Sequence, residues 1–240
     1  MQNLIDIHTH TIMSGHAFNT LNEMISAAQE HGFRLYGVTE HGPGIPGTCD
    51  PVYFRNMYIV PRQYGDMRLI MGAELNILDY DGSLDFTEET YFRCFDVTIA
   101  GLHLLCYKDG TRAQNTSALL GAIDNPHVNI ISHPCDGTAS DFDIEAVVLE
   151  AKHTGTLLEL NNSSLNPHRG KKLARPFNLE MLRLCKKHDH PIIISSDAHH
   201  TSQLGDHQYV EPLLKEVAFP EELILNDKVD EFLGFLGKVK

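Results

Sequence analysis

The chain repeats one pattern: a short, almost continuously apolar run, then a segment whose apolar positions recur every three or four residues. Seven such runs stand out, at residues 3–8 (NLIDIH), 35–40 (LYGVTE), 69–75 (LIMGAEL), 96–102 (DVTIAGL), 128–133 (VNIISH), 156–161 (TLLELN) and 191–196 (PIIISS). Aliphatic, β-branched runs without clean alternation are the signature of strands covered on both faces, so they predict parallel strands. Residues 19–31 predict a helix: Thr20 and Glu23 form a capping-box pair, Leu21, Met24, Ile25 and Ala28 share one face, and Gly32 ends it. Helices are also expected over 112–124, 141–154 (before Gly155) and 176–189, the last with Pro176 in its first turn and Lys186, Lys187 and His188 near its end. Segments 51–66 and 79–94 carry weaker helical signals.

A β-then-α order repeated in this way requires right-handed crossovers and a parallel sheet. The expected fold class is therefore α/β, a distorted seven-stranded (β/α)7 barrel of TIM-like type, with a doubly wound open sheet as the structural rival. The 240 residues fit a single domain, 1–240, and no linker or low-complexity block divides them.

Composition narrows the function. A net charge of −13 disfavours a long nucleic-acid partner, because polyanion binding relies on a basic face that releases counterions. No apolar run approaches the roughly 18 residues a membrane span needs, and no basic leader precedes Asp6, so the expected location is cytoplasmic. Five cysteines without any C-x-x-C pair fit reduced thiols rather than a disulfide framework or a thiolate zinc knuckle. Cys135, near His133, is read as a core thiol.

The unusual feature is 15 histidines, and their positions matter more than their number. The predicted strands end in His8 and His10, Glu40 and His41, Glu74, His103, His133, and Asp197 and His199. These are C-terminal strand ends, the face on which α/β barrels and open sheets build their sites. Side chains two apart on a strand project to one side, so His8 with His10, and Asp197 with His199, would converge. Asp6 shares that parity and is expected to orient a ligand imidazole from behind. Glu40 is expected to face away from its neighbour His41. With His16, nine groups offer imidazole and carboxylate donors and no thiolate, a set suited to Zn, Mn or Fe in a reactive site. At about three protein ligands per open-sided ion, nine groups suffice for about three ions. His31, His127, His153, His168, His188, His190, His200 and His207 are read as helix-end or loop residues outside the site.

The motifs Asp6-x-His8-x-His10, Thr39-Glu40-His41-Gly42, Glu74, His103, Ser132-His133-Pro134 and Ser196-Asp197-Ala198-His199 resemble those of the PHP (polymerase and histidinol phosphatase) family. The resemblance runs from residue 6 to about residue 200 and is closest to the small stand-alone YcdX-type phosphatases with a trinuclear zinc site. It implies one metal held by His8, His10, Glu74 and Asp197, a second by Glu74, His103 and His133, and a third by His16, His41 and His199. Glu74 would bridge the first two. It also implies the distorted barrel and a homotrimer. The stretch Leu160-Asn161-Asn162-Ser163-Ser164 looks family-like without an assignable role.

The expected activity is metal-dependent hydrolysis of a small phosphate monoester, with a metal-bridging hydroxide as nucleophile, Glu74 and Asp197 shaping the centre, and three divalent ions, Zn first and Mn or Fe next. Such a centre would carry about +4 inside an acidic protein and so attract a phosphorylated substrate locally. Arg169, Lys171 and Lys172 follow the sixth run and either meet that phosphate or remain solvated. The alternatives are a PHP phosphodiesterase or nucleotide hydrolase, a histidinol phosphatase, a non-catalytic metal-binding protein, and an amidohydrolase. The last commonly bridges its metals through a carboxylated lysine, and none stands at the third or fourth strand end.

Overall fold

Each apolar run becomes a strand, and the strands assemble in chain order. The protein, as a computed structural model that describes residues 2–237, contains β1 (Ile5–Asp6), β2 (Leu35–His41), β3 (Gln63–Tyr64), β4 (Met67–Asn76), β5 (Val97–Gly101), β6 (Ile130–Ile131), β7 (Leu157–Asn161) and β8 (Ile192–Ser195). They form one sheet in the order β1-β2-β4-β5-β6-β7-β8 with parallel neighbours, and β3 adds an antiparallel pairing to β4. The seven parallel strands curl into a nearly closed barrel, which decides against the open sheet. Closure uses few ladder bonds: Thr9 bridges Ala198, and His10 N donates to Ala198 O at 2.9 Å. Nearer the strand starts, Asn226 spans the gap by accepting from Ile194 N (2.9 Å) and donating to Ile5 O (3.0 Å) and Ile194 O (2.7 Å).

Helices fill the connections: α1 (Leu21–His31), α2 (Pro51–Arg55), α3 (Glu89–Phe92), α4 (Arg112–Asp124), α5 (Ile144–Thr154), α6 (Ala174–Lys187), α7 (Glu211–Val217) and α8 (Val229–Leu236). The Thr20–Glu23 capping box forms as expected, and Gly32 ends α1 in the left-handed conformation. The weak segments 51–66 and 79–94 yield only the short α2 and α3: Gln63 and Tyr64 turn back to pair with β4, and the second segment begins in a turn closed by the Ile77–Leu84 bridge. Among the described residues no helix is long and apolar enough to cross a membrane.

Two apolar layers result. Ile5, Ile7, Leu35, Ile70, Val97, Ile99, Ile130, Leu157 and Ile193 form a compact cluster inside the barrel, and Leu225 and Phe232 join it from the C-terminal segment. The intervening strand residues, such as Tyr36, Val38, Leu69, Met71, Leu158 and Ile194, pack outward against the helices. Burying a large aliphatic or aromatic side chain contributes about 1.5–3 kcal/mol, so these layers supply the main drive to fold.

The inward positions continue two residues at a time towards the strand ends: Ile70-Gly72-Glu74, Leu157-Glu159-Asn161 and Ile193-Ser195-Asp197. Strand β1 breaks this rule. Leu35 N donates to Leu4 O, but further along Thr39 N donates to Thr9 O, so one extra residue is accommodated on β1. Such a bulge reverses the facing of the residues beyond it. Ile5 and Ile7 therefore point inward, and so do His8 and His10. Gly37 makes the room, since a Cβ there would lie 2.5 Å from Ile7 O.

Candidate metal centre

The C-terminal mouth of the barrel gathers all nine donors named from the sequence. His8, His10, Glu74, His41, His133 and Asp197 are buried, while His16, His103 and His199 lie nearer the surface of a cavity of about 390 Å³. Its walls include the apolar Ile45, Leu104 and Leu105 and the charged Asp136, Arg169 and Lys171.

Around the first two histidines, four donor atoms converge. His8 Nε2 stands 3.0 Å from His10 Nε2, 3.2 Å from Glu74 Oε2 and 3.7 Å from Asp197 Oδ1, and His10 Nε2 is 3.4 Å from both carboxylates. Ligands bonded at about 2.0–2.1 Å around a tetrahedral zinc lie about 3.3–3.4 Å apart, so the four atoms fall near the corners of one such shell. The opposite nitrogens are already engaged. His8 Nδ1 faces Glu159 Oε1 at 2.8 Å, and His10 Nδ1 meets Ser14 Oγ at 3.0 Å. Because the Ser14 hydroxyl donates to Glu40 Oε2 (2.5 Å), it must accept from His10. Two Nε2 atoms so placed must share either a proton or a cation.

The other oxygen of Glu74 faces a second group. Oε1 lies 2.8 Å from His133 Nε2 and 3.2 Å from His103 Nε2, and it accepts from Ser132 Oγ at 2.9 Å. His133 adopts a left-handed backbone conformation, φ 31°, which turns its ring back into the barrel. Gly101 leaves space for it, as a Cβ there would meet His133 Cε1 at 3.0 Å.

A third group lies outermost. His16 donates Nδ1–H to Ser14 O and His199 donates Nδ1–H to Asp197 O, each at 3.0 Å, which leaves their Nε2 atoms 3.0 Å apart. His41 stacks on His16 with ring centroids 5.0 Å apart, and its Nδ1 approaches Glu74 Oε2 at 2.9 Å. In each of the triples His8–His10–Asp197, His10–His41–His199 and His41–Glu74–His103, one donor atom per residue lies within 4.8 Å of the others. The outer histidines thus sit against the inner ones.

The electrostatics reflect this crowding. Burial pushes Glu74 up, but the His8, His103 and His41 imidazoles outweigh it and hold the carboxyl well below the usual range. Asp197 is likewise held well below its usual value, against burial, by His8 and His10. Burial lowers His8, yet Glu74, Glu159 and Asp197 together raise it well above an ordinary imidazole. His10 is driven well down by burial and by His41 and His199. Glu74 Oε2, His41 Nδ1, both ring nitrogens of His103 and His133 Nδ1 are buried without a well-aligned hydrogen bond, although His41 Nδ1 and His103 Nε2 stand close to the Glu74 oxygens. Buried polar atoms are rarely left so, and a set of imidazole and carboxylate donors with unsatisfied atoms fits divalent metal ions.

Asp6 corrects the expectation placed on it. It accepts from Ser196 N (3.1 Å), Ser196 Oγ (2.6 Å) and Gly205 N (2.9 Å), and meets no imidazole of the cluster. The bulge after it turns His8 and His10 inward and leaves Asp6 outside the barrel, so it braces the segment leading to Asp197. The carboxylate behind His8 is Glu159. The strand TLLELN marked it only by its parity with Leu157, an inward acid in an apolar run. Glu40 faces away from the cluster as expected and holds Thr11 N (3.1 Å), Thr11 Oγ1 (2.5 Å) and Ser14. Cys135 packs in the core beside Met181. Arg169 and Lys171 line the cavity, whereas Lys172 is exposed away from its walls, and Lys171 pairs with the buried Asp136. Asn161 and Asn162 are buried and serve as local braces, accepting from Ser164 N (2.8 Å) and Tyr209 N (2.9 Å) respectively.

Fold and site together define a class: a seven-stranded α/β barrel whose C-terminal mouth carries a cluster of imidazole and carboxylate groups able to hold metal ions. The family model described as PHP domain matches residues 6–164. A protein of Caldicellulosiruptor bescii named probable phosphatase is 40% identical over 232 residues, covering 97% of this chain and 95% of its own. One from Clostridium botulinum, also named probable phosphatase, is 38% identical over 243 residues, covering 100% and 98%. Histidinol phosphate phosphatase of Lactococcus lactis, solved with zinc, L-histidinol and phosphate, shares the fold at TM-score 0.64 with 19% identity, covering 91% of this chain and 95% of that one. The chain belongs to the PHP domain family.

Proposed function

We propose that the chain is a metal-dependent phosphatase that hydrolyses small phosphate monoesters. The observation that carries this is the convergence of His8, His10, Glu74 and Asp197 at the spacing of one ion's ligand shell, with the second oxygen of Glu74 turned to His103 and His133. In this reading His8, His10, Glu74 and Asp197 hold one ion, Glu74, His103 and His133 a second, and His16, His41 and His199 a third. Zinc is the first choice on donor type, and manganese or iron the next. Ions held there supply positive charge against phosphate and a nucleophile at neutral pH.

The residues around the ions do the rest. Glu74, buried and held anionic, joins the two inner groups into one rigid unit. Ser14 and Glu40 fix His10, and Asp6 fixes the segment carrying Asp197. Arg169 and Lys171, the latter paired with Asp136, line the cavity and offer a guanidinium and an ammonium to an anionic substrate. The apolar side chains of Leu104 and Leu105 offer the remainder of a small substrate a wall. Relatives named probable phosphatases over nearly the whole chain support the same activity.

The test is hydrolysis of 4-nitrophenyl phosphate and a set of phosphorylated metabolites, histidinol phosphate among them, before and after chelation. Turnover lost with EDTA and regained with zinc or manganese is expected. Hydrolysis that resists chelation would contradict the reading.

A further inference from the structure

The carboxylate of Glu159 touches two of the inner groups at once. It stands on β7 at the inward position between Leu157 and Asn161 and is 1% exposed. One oxygen, Oε1, lies 2.8 Å from His8 Nδ1. The other, Oε2, accepts from His133 N at 2.7 Å and from Asn161 Nδ2 at 3.1 Å. His8 belongs to the first group of donors and His133 to the second, on strands from opposite parts of the chain. Glu74 joins these groups from the side of the cavity, and Glu159 joins them from behind.

We propose that Glu159 is the positioning residue that sets the spacing of the two inner metal sites, by anchoring the His8 imidazole and the His133 backbone on the two oxygens of one carboxylate. The proposal rests on the metal-dependent reading of the cluster. Its chemical requirement is strict. Asn161 is locked with its amide nitrogen towards Glu159, because its Oδ1 accepts from Ser164 N at 2.8 Å. Every neighbour of Glu159 is then a donor: His8 Nδ1–H, His133 N–H and the Asn161 amide. A glutamine of the same size has one acceptor oxygen and one donor nitrogen, so it can satisfy one side only and must leave the other facing a donor. Holding His8 by Nδ1 also fixes the tautomer, directing the Nε2 lone pair at Glu74, His10 and Asp197. Holding His133 N secures a residue whose φ of 31° the backbone would not otherwise prefer.

The experiment compares zinc binding by the wild-type chain, Glu159→Gln and Glu159→Asp, each in competition with a chromophoric chelator, after circular dichroism has established that the metal-free forms are folded. Glu159→Gln is expected to lose about 10–100-fold in zinc affinity at the inner sites, the usual cost of removing a partner behind a metal-bound histidine. Glu159→Asp keeps two acceptor oxygens on a shorter arm and is expected to fall between. Equal affinity in the wild type and Glu159→Gln would overturn the proposal while leaving the metal reading intact. A wild-type chain that takes up no zinc would overturn both. If neither variant folds, nitrogen NMR of the histidines in the zinc-loaded wild type decides. His8 protonated at Nδ1 is expected, and an unprotonated Nδ1 would overturn the proposal.

Discussion

The two halves of the barrel interior are built by the same strands and obey opposite rules. Near the strand starts, Ile5, Ile7, Leu35, Ile70, Val97, Ile99, Ile130, Leu157 and Ile193 close on Leu225 and Phe232. One to four residues further along, the inward positions hold His8, His10, Glu74, Glu159 and Asp197. The lower half is held by apolar burial, which needs no partner of specified chemistry. The upper half buries ionisable groups whose desolvation is repaid only by correctly placed opposite charge and hydrogen bonds. Function therefore sits on a foundation that does not depend on it, with Gly37, Gly101 and Ser195 as small spacers between the two.

The largest expected effect comes from breaking the upper half at its centre. Glu74→Gln removes the charge that both inner groups share, and its loss of metal-dependent aryl-phosphate hydrolysis should exceed the roughly 100-fold that an outer partner's removal costs. The circular dichroism spectrum should stay close to that of the wild type. Breaking the lower half should do the reverse: Phe232→Ala empties a fully buried site and is expected to cost about 3–5 kcal/mol in urea unfolding, with zinc affinity of the folded protein unchanged.

Acid separates partnered from unpartnered imidazoles. His190, buried before β8 with Nε2 lacking a partner, is pushed by burial and by Lys152 down to about 4. Its folded value lies below its unfolded one, so the unfolded chain binds the extra proton. Stability from keeping it neutral is complete above about pH 6.5 and disappears as the pH falls towards 4, a loss of up to about 3 kcal/mol. His190→Gln should flatten that part of the urea-stability profile, and an unchanged slope would count against the assignment. The smallest expected effect is Ile70→Val, about 0.5–1.5 kcal/mol, without consequence for turnover.

Much of this was legible in the chain. The seven runs gave the parallel strands, Thr20 and Glu23 gave the start of α1, and polar residues at strand ends gave eight of the nine candidate donors, His16 being added from the loop after the first strand, because period and position are local properties. What escaped was set by contacts distant in sequence. The bulge that turns His8 and His10 inward depends on the fit of Ile7 against Gly37, and without it Asp6 looked like the partner of an imidazole. Glu159 lay in a run read as apolar, and only its placement beneath His8 and His133 gives it a role. Likewise, β3, the bridging amide of Asn226 and the plug formed by Phe232 have no signal in their own neighbourhoods comparable to an apolar strand.

The central claim, that the upper half of the barrel is a centre for several metal ions, is tested most directly by the metal content of the purified chain, measured by plasma mass spectrometry after exhaustive dialysis. About three divalent transition ions per chain are predicted from nine donors at about three per ion. Fewer than about two per chain would contradict it.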